Sequence, residues 1–231
     1  MADPSQQHPG RVGGTRVKIC GLTRRKDAVR AAEAGADFLG VVLVGDSPRG
    51  LSPGEAGVVV RGLDLPVVAV AADLSPEEAA AAAETVGASI LQLHGNETPD
   101  EVARLGELGD WELWKALRVR DAGEVKEGLA SFSETVTGLL LDGWHPIQKG
   151  GTGSPFPWEA VAGVRDLFPP GLLFIAAGGL TPENVGRAIS GLRPHVVDVS
   201  SGVEREPGIK DHSRIFDFIR AAREPGLKED W

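Results

Sequence analysis

The chain has one thiol, Cys20, at the end of the apolar run Val17–Cys20, with Gly21 directly after it. A thiol with a reference pKa near 8.5 acts as a base where its surroundings favour thiolate. Buried inert cysteine is the commoner case, so position has to decide between the two. Other apolar runs end in polar side chains as well: Gln92 and His94, then Asp142, then Asp198 followed by Ser200-Ser201-Gly202. Arg49 follows a further run, and Arg118 lies near the end of another. Asp142-Gly143 can be read as a hairpin signal. Pro146 makes the following segment a poor antiparallel partner, however, so a loop is the better reading. Gly178-Gly179 and Ser200-Ser201-Gly202 each precede a helical segment, and Gly151 sits in a third glycine-rich stretch, Lys149–Gly153. Main-chain amides at helix starts attract phosphate, and glycine lets the ligand approach. The plainer alternatives are a solvated loop charge for Arg49 and a polar network capping the interior for Gln92 and His94.

These residues need elements to hold them in place. Short runs of Val, Ile, Leu and Ala read as strands at Val17–Cys20, Phe38–Val44, Val67–Ala71, Ser89–Leu93, Leu113–Val119, Gly138–Asp142, Leu172–Ala177 and Val196–Val199. Near-continuous apolar runs suit strands covered on both faces. Between them lie Ala/Glu/Arg segments with helical spacing. Ser52-Pro53-Gly54-Glu55, Ser75-Pro76-Glu77-Glu78 and Thr98-Pro99-Asp100-Glu101 each supply a cap hydroxyl, a proline at the first helical position and a glutamate three residues on. Thr181-Pro182-Glu183-Asn184 is a weaker copy, and Gly35 and Gly87 mark helix exits. Eight strand–helix units of roughly 27 residues predict a single-domain α/β fold, the closed (β/α)8 barrel, over an open sheet of five or six strands. In such a barrel the chemistry lies at the C-terminal strand ends. By strand parity Lys18 shares a face with Cys20, Gln92 with His94, and Asp198 with Ser200.

Composition limits what that site can serve. The 24 Lys and Arg against 33 Asp and Glu give a net charge of −9, which argues against a nucleic-acid or anionic-membrane binder. One cysteine excludes an intrachain disulfide and a multi-thiolate metal site. Glycine, at 31 of 231 residues, is roughly twice its usual share and is expected in turns and close backbone approaches. Residues 1–15 read as a polar disordered leader without the apolar stretch of a signal peptide. Residues 16–223 read as one catalytic domain and residues 224–231 as a loose tail. No apolar run approaches the eighteen or so residues that span a bilayer. The expected setting is the cytoplasm.

Val17-Lys18-Ile19-Cys20-Gly21-Leu22-Thr23-Arg24 resembles the opening signature of the phosphoribosylanthranilate isomerase family of tryptophan biosynthesis. Further matches follow in order: Ser47-Pro48-Arg49, Leu91-Gln92-Leu93-His94-Gly95, Leu140-Leu141-Asp142, Gly150-Gly151-Thr152-Gly153, Ala177-Gly178-Gly179-Leu180-Thr181-Pro182-Glu183-Asn184-Val185, Asp198-Val199-Ser200-Ser201-Gly202-Val203-Glu204 and Pro207-Gly208-Ile209-Lys210-Asp211. The resemblance runs from residue 16 to about residue 222. It implies a TIM barrel and an Amadori rearrangement of N-(5-phosphoribosyl)anthranilate. Cys20 would be the general base and Asp142 the general acid, with no metal or organic cofactor. It further implies that Arg49 meets the anthranilate carboxylate and that Gln92, His94 and Asp198 contact the small-molecule phosphosugar. Gly151, Gly178, Gly179, Ser200, Ser201 and Gly202 would hold its phosphate, in a monomer or homodimer. Three departures from the family pattern stand out: Gly143 after the acid, Gly50 after Arg49, and the basic helix start Arg24-Arg25-Lys26. Another phosphosugar isomerase barrel of the histidine or tryptophan pathways is the rival enzyme. A barrel that binds phosphosugars without turning them over is the rival of another class.

Overall fold

The structure, a computed structural model, describes residues 14–143 and 158–224. The leader and tail assigned from sequence, apart from residues 14, 15 and 224, lie outside the described residues, and so does Gly151. Eight parallel strands form a closed barrel: β1 Arg16–Ile19, β2 Phe38–Val42, β3 Val67–Ala71, β4 Ile90–Leu93, β5 Glu112–Val119, β6 Gly138–Gly143, β7 Leu173–Ala176 and β8 Val196–Val199. Each strand pairs with the next, and β8 closes on β1 with Lys18 opposite Asp198. The (β/α)8 expectation is met. Cys20 falls one residue past β1, yet its amide continues the ladder by donating to Val199 O at 2.8 Å.

Helices α1 Arg25–Glu33, α2 Pro53–Val60, α3 Pro76–Val86, α4 Pro99–Gly106 and α5 Ala122–Phe132 cover the first five strands. Helices α6 Val185–Leu192 and α7 His212–Arg223 follow β7 and β8. Ser52, Ser75 and Thr98 start α2, α3 and α4 with complete reciprocal caps, each hydroxyl accepting from the glutamate amide while that carboxylate accepts from the cap amide. Local sequence decides these starts, because cap, proline and glutamate satisfy neighbouring amides without distant help. Gly35 and Gly87 take positive φ at the exits of α1 and α3, as read.

Two expectations need correction. Thr181 does not cap a helix, because α6 begins only at Val185. Asn184 stands where the other caps have glutamate, and its amide has both an acceptor and a donor. Oδ1 accepts from Thr181 N at 2.8 Å and Nδ2 donates to Gly179 O at 2.9 Å, which holds the segment as a turn. The second correction concerns the connection from β6 to β7. Among the described residues it carries two 3-10 turns, Trp158–Val161 and Val164–Leu167, where an α-helix was expected.

Strand alternation divides the apolar residues into two sets. One faces the helices, with Val17, Ile19, Leu39, Leu91, Leu139 and Phe174 among its members. The other fills the barrel below the site, where Phe38 meets Trp114 edge-on at 5.2 Å between ring centroids. Gly138 makes room for that indole, since a methyl group there would lie 2.9 Å from Trp114 Cδ1. Outside the barrel, Lys115 on β5 is buried and donates to Glu97 Oε2 at 3.0 Å and to Gly95 O at 2.9 Å. Glu97 also accepts from the amides of Asp73 and Gly95, so one buried pair ties the loops after β3 and β4 together. Breaking a buried pair from one side strands a charge, which costs about 3–5 kcal/mol. Glu97→Ala is therefore expected to lower unfolding stability by about 3 kcal/mol or more in urea titration, and a loss under about 1 kcal/mol would refute this account.

Candidate active site

Buried polar side chains Lys18, Gln92 and Asp198 gather on the inner strand faces toward the C-terminal rim. Lys18 and Cys20, two residues apart, point inward together, and the bare backbone of β2 leaves them space. A methyl group at Gly40 would lie 2.9 Å from Cys20 Sγ and 3.1 Å from Lys18 Cε. Lys18 is fully buried and donates to Gln92 Oε1 on β4 at 2.8 Å and to Asp198 Oδ1 on β8 at 3.1 Å. Burial presses its pKa down, but Asp198 and then Cys20 outweigh this and hold it above the ordinary lysine value. Cys20 shows the opposite balance. Burial pushes the thiol up and Asp198 pushes it further, while Lys18 and then Lys210 pull it back only in part.

The contacts of Lys18 fix a chain of hydrogen-bond directions across the barrel. An ammonium only donates, so the oxygen of the Gln92 amide faces it and the NH2 faces outward. Gln92 Nε2 lies 3.1 Å from His94 Nδ1, which must then accept. The imidazole proton therefore sits on Nε2, the atom 3.5 Å from Asp142 Oδ2. From Lys18 through Gln92 to His94 each donor points the same way, away from β1, and His94 Nε2 ends within 3.5 Å of Asp142 Oδ2. The pair Gln92 and His94 is thus the polar network expected as the plainer reading, and it ends on the candidate acid.

The rim above Cys20 is closed by a second charge group. Gly21 has φ +69°, and a methyl group there would strike Arg49 Cδ at 2.5 Å and Ser200 Oγ at 2.7 Å. Only glycine allows these groups to close over the thiol. Arg49 meets Glu204 with two hydrogen bonds, Nε to Oε1 at 2.8 Å and Nη2 to Oε2 at 2.6 Å. Glu204 opens the short hairpin of β9 Glu204–Glu206 and β10 Ile209–Lys210, and Lys210 Nζ donates to Glu204 Oε1 at 2.8 Å. Lys210 also donates to Ser200 O at 3.1 Å. The Arg49 hydrogen bond to Glu204 holds the guanidinium pKa up. Burial pushes the Glu204 carboxyl up, but Arg49 and Lys210 together carry it below its usual range.

The residues picked from sequence fall into three groups. Cys20, Gln92, His94 and Asp198 are joined through Lys18, and Asp142 is reached through His94. Arg49 stands at the same rim with its guanidinium engaged by Glu204. Gly178 and Gly179 both have positive φ, and Gly178 lies against the end of β6, where a methyl group on it would be 2.7 Å from Asp142 Oδ1. Ser201 and Gly202 form a 3-10 turn that begins after Ser200. A methyl group on Gly202 would lie 1.9 Å from Leu180 O, so the loops after β7 and β8 touch. Lys18, Glu204 and Lys210 were absent from the sequence-derived set. Parity had placed Lys18 beside Cys20, and a lysine inside an apolar strand was the available signal. Arg49 and Glu204 are 155 residues apart, and nothing local links them.

The Glu204 bridge has a pH signature. Its carboxyl pKa is lower folded than unfolded, so the unfolded chain binds more protons in mild acid and stability rises with pH there. The stability lost in Glu204→Gln is expected to be constant above about pH 5 and to shrink as pH falls through the lowered carboxylate range. Urea unfolding at a series of pH values measures it; a difference unchanged down to strong acid would contradict the ion pair.

Comparison with known proteins places this arrangement. Residues 17–221 match the family model described as N-(5'phosphoribosyl)anthranilate (PRA) isomerase. The N-(5'-phosphoribosyl)anthranilate isomerase of Pseudomonas fluorescens is 41% identical over 216 residues, covering 92% of this chain and 97% of that one. The crystal structure of phosphoribosyl anthranilate isomerase from Thermotoga maritima has a TM-score of 0.81 at 36% identity, covering 90% of this chain and 98% of that one. A further phosphoribosyl anthranilate isomerase, in complex with reduced 1-(o-carboxyphenylamino)-1-deoxyribulose 5-phosphate, has a TM-score of 0.78 at 35% identity, with coverage of 90% and 98%.

Proposed function

The chain belongs to the N-(5'-phosphoribosyl)anthranilate isomerase family and catalyses that step of tryptophan biosynthesis, and we propose that Cys20 and Asp142 divide its proton transfers. The reaction converts N-(5-phosphoribosyl)anthranilate to 1-(2-carboxyphenylamino)-1-deoxyribulose 5-phosphate. The observation that carries the assignment is the hydrogen-bond chain from Lys18, beside the thiol, to His94, beside the carboxyl group. Asp142 donates a proton to the furanose ring oxygen. The C1–O bond breaks as the nitrogen lone pair forms an iminium. Cys20 thiolate then takes the proton from C2, and the C–H electron pair neutralises the iminium as an enolamine. Tautomerisation to the ketone completes the rearrangement. An acid and a base on separate strands suit a sugar lying across the mouth.

Arg49 offers a planar fork to the anthranilate carboxylate, and Glu204 holds that fork in orientation. Gln92, His94 and Asp198 set the polar floor beneath the sugar. The phosphate lies on the loops of Gly178, Gly179, Ser200, Ser201 and Gly202. Positive-φ glycines and touching loops support this placement, because they bring main chain close to a ligand. The chain works in the cytoplasm as a monomer or homodimer; a Thermotoga maritima relative is dimeric.

Cys20→Ala and Asp142→Asn are each expected to lower kcat by about 10²–10⁴-fold with unchanged circular dichroism, measured as loss of phosphoribosylanthranilate fluorescence. Turnover like the wild type in either variant would remove that residue from its role. Rescue of a tryptophan auxotroph lacking this isomerase tests the activity in cells.

A further inference from the structure

The mechanism gives Cys20 to proton abstraction and uses the buried ammonium beside it only to orient Gln92 and His94. We propose that Lys18 is a positioning residue, the fixed counter-charge of the Cys20 thiolate, shared with Asp198 so that the strength of the base is set across the β1–β8 seam. This rests on the reading of Cys20 as the base and says how that base is produced.

Geometry places the pair together. Lys18 and Cys20 are two residues apart on one strand face, and both fill the space that Gly40 leaves open. Gln92 and Asp198 take two of the three ammonium donors. The charged groups facing Cys20 come from every element around it: Lys18 on β1, Asp198 on β8, Lys210 on β10 and Arg49 after β2, the last two bridged by Glu204. Three cations, Lys18, Arg49 and Lys210, thus stand against two carboxylates, Asp198 and Glu204. The group reaches equal charge when Cys20 becomes thiolate. On the far side of the mouth, His94 Nε2 and Asp142 Oδ2 face each other at 3.5 Å. Burial and Asp198 push the thiol pKa up, while Lys18 and then Lys210 pull it back in part. When the thiolate takes the C2 proton, the thiol forms again and Lys18 keeps all three of its own protons.

Composition makes the test clean. The chain has one cysteine and no tyrosine, so thiolate absorbance near 240 nm reports Cys20 without tyrosinate interference. Wild type, Lys18→Met and Asp198→Asn are titrated against a Cys20→Ala blank, with no substrate present. The midpoint of Lys18→Met is expected to rise by about one unit or more, a tenfold loss of thiolate at a given pH, because an opposite charge nearby shifts a pKa by about 1–3 units. The midpoint of Asp198→Asn is expected to fall. The rising limb of kcat/KM against pH moves the same way in each variant. If Lys18→Met fails to fold, Asp198→Asn carries the test from the other strand. Midpoints within about 0.3 units of wild type would overturn the counter-charge and leave Lys18 a structural residue. An active Cys20→Ala enzyme is a different failure: it removes the base itself, and the catalytic meaning of Lys18 with it.

Discussion

A lysine ammonium at the centre of a closed barrel has no water to stabilise it, so the protein must supply the partners. Lys18 finds them on β8, through Asp198, and on β4, through Gln92. Asp198 is its direct Cα partner across the seam where the barrel closes. A slip of one residue in that register would turn one of the two charges toward the helices, because side chains alternate between faces. Leaving either charge unpaired costs about 3–5 kcal/mol, a sizeable part of the stability of a domain. The pair therefore does two things at once. It makes the correct closure of the sheet energetically distinct, and it puts a fixed positive charge next to the only thiol in the chain.

The rest of the rim builds outward from that charge. Gln92 is oriented by it and His94 by Gln92, which turns the imidazole Nε2 toward Asp142. On the other side, the Arg49–Glu204–Lys210 group carries one more cation than carboxylate, close to Cys20. The whole molecule is strongly acidic, with a net charge of −9, yet the mouth beside β1 has the opposite local balance. Local field and total charge are separate quantities, and a small anionic substrate responds to the first.

How far sequence reveals this depends on the range of the interaction. The strands were legible because apolar runs covered on both faces need no partner to be recognised, and β3 and β8 match to the residue. The helix starts at Ser52, Ser75 and Thr98 were legible because the reciprocal cap lies within four residues. The same template misled at Thr181, where an asparagine in place of glutamate ties the turn to Gly179. Parity put Cys20, Gln92, His94 and Asp198 on inner faces. It could not show that Lys18 bonds to residues 74 and 180 positions away, or that Arg49 is held by Glu204. Those pairs exist only once eight strands close, and no local pattern encodes them.

The departures from the family pattern make sense in the same terms. A methyl group at Gly50 would lie 2.3 Å from Val44 O, in a turn where Gly50 N already donates to Ser47 O at 2.8 Å. A side chain there would open the loop that carries Arg49, so glycine holds the arginine in. The first cation in the basic start of α1 is paired locally, because Arg24 meets buried Asp27, which His212 also meets at 2.8 Å. That pairing joins the first helix to the last and braces the hairpin of Glu204 and Lys210 between them, with Lys210 N donating to the same Asp27 carboxylate at 3.3 Å. At the end of β6, the Gly143 amide would be 2.6 Å from a methyl group on Gly178, so the loop after β7 rests directly on the backbone beside Asp142. Glycine excess in this chain is thus in part a requirement of the site. The loops that close over the thiol and the carboxyl group approach too closely for any Cβ, and that closeness holds the two groups in place.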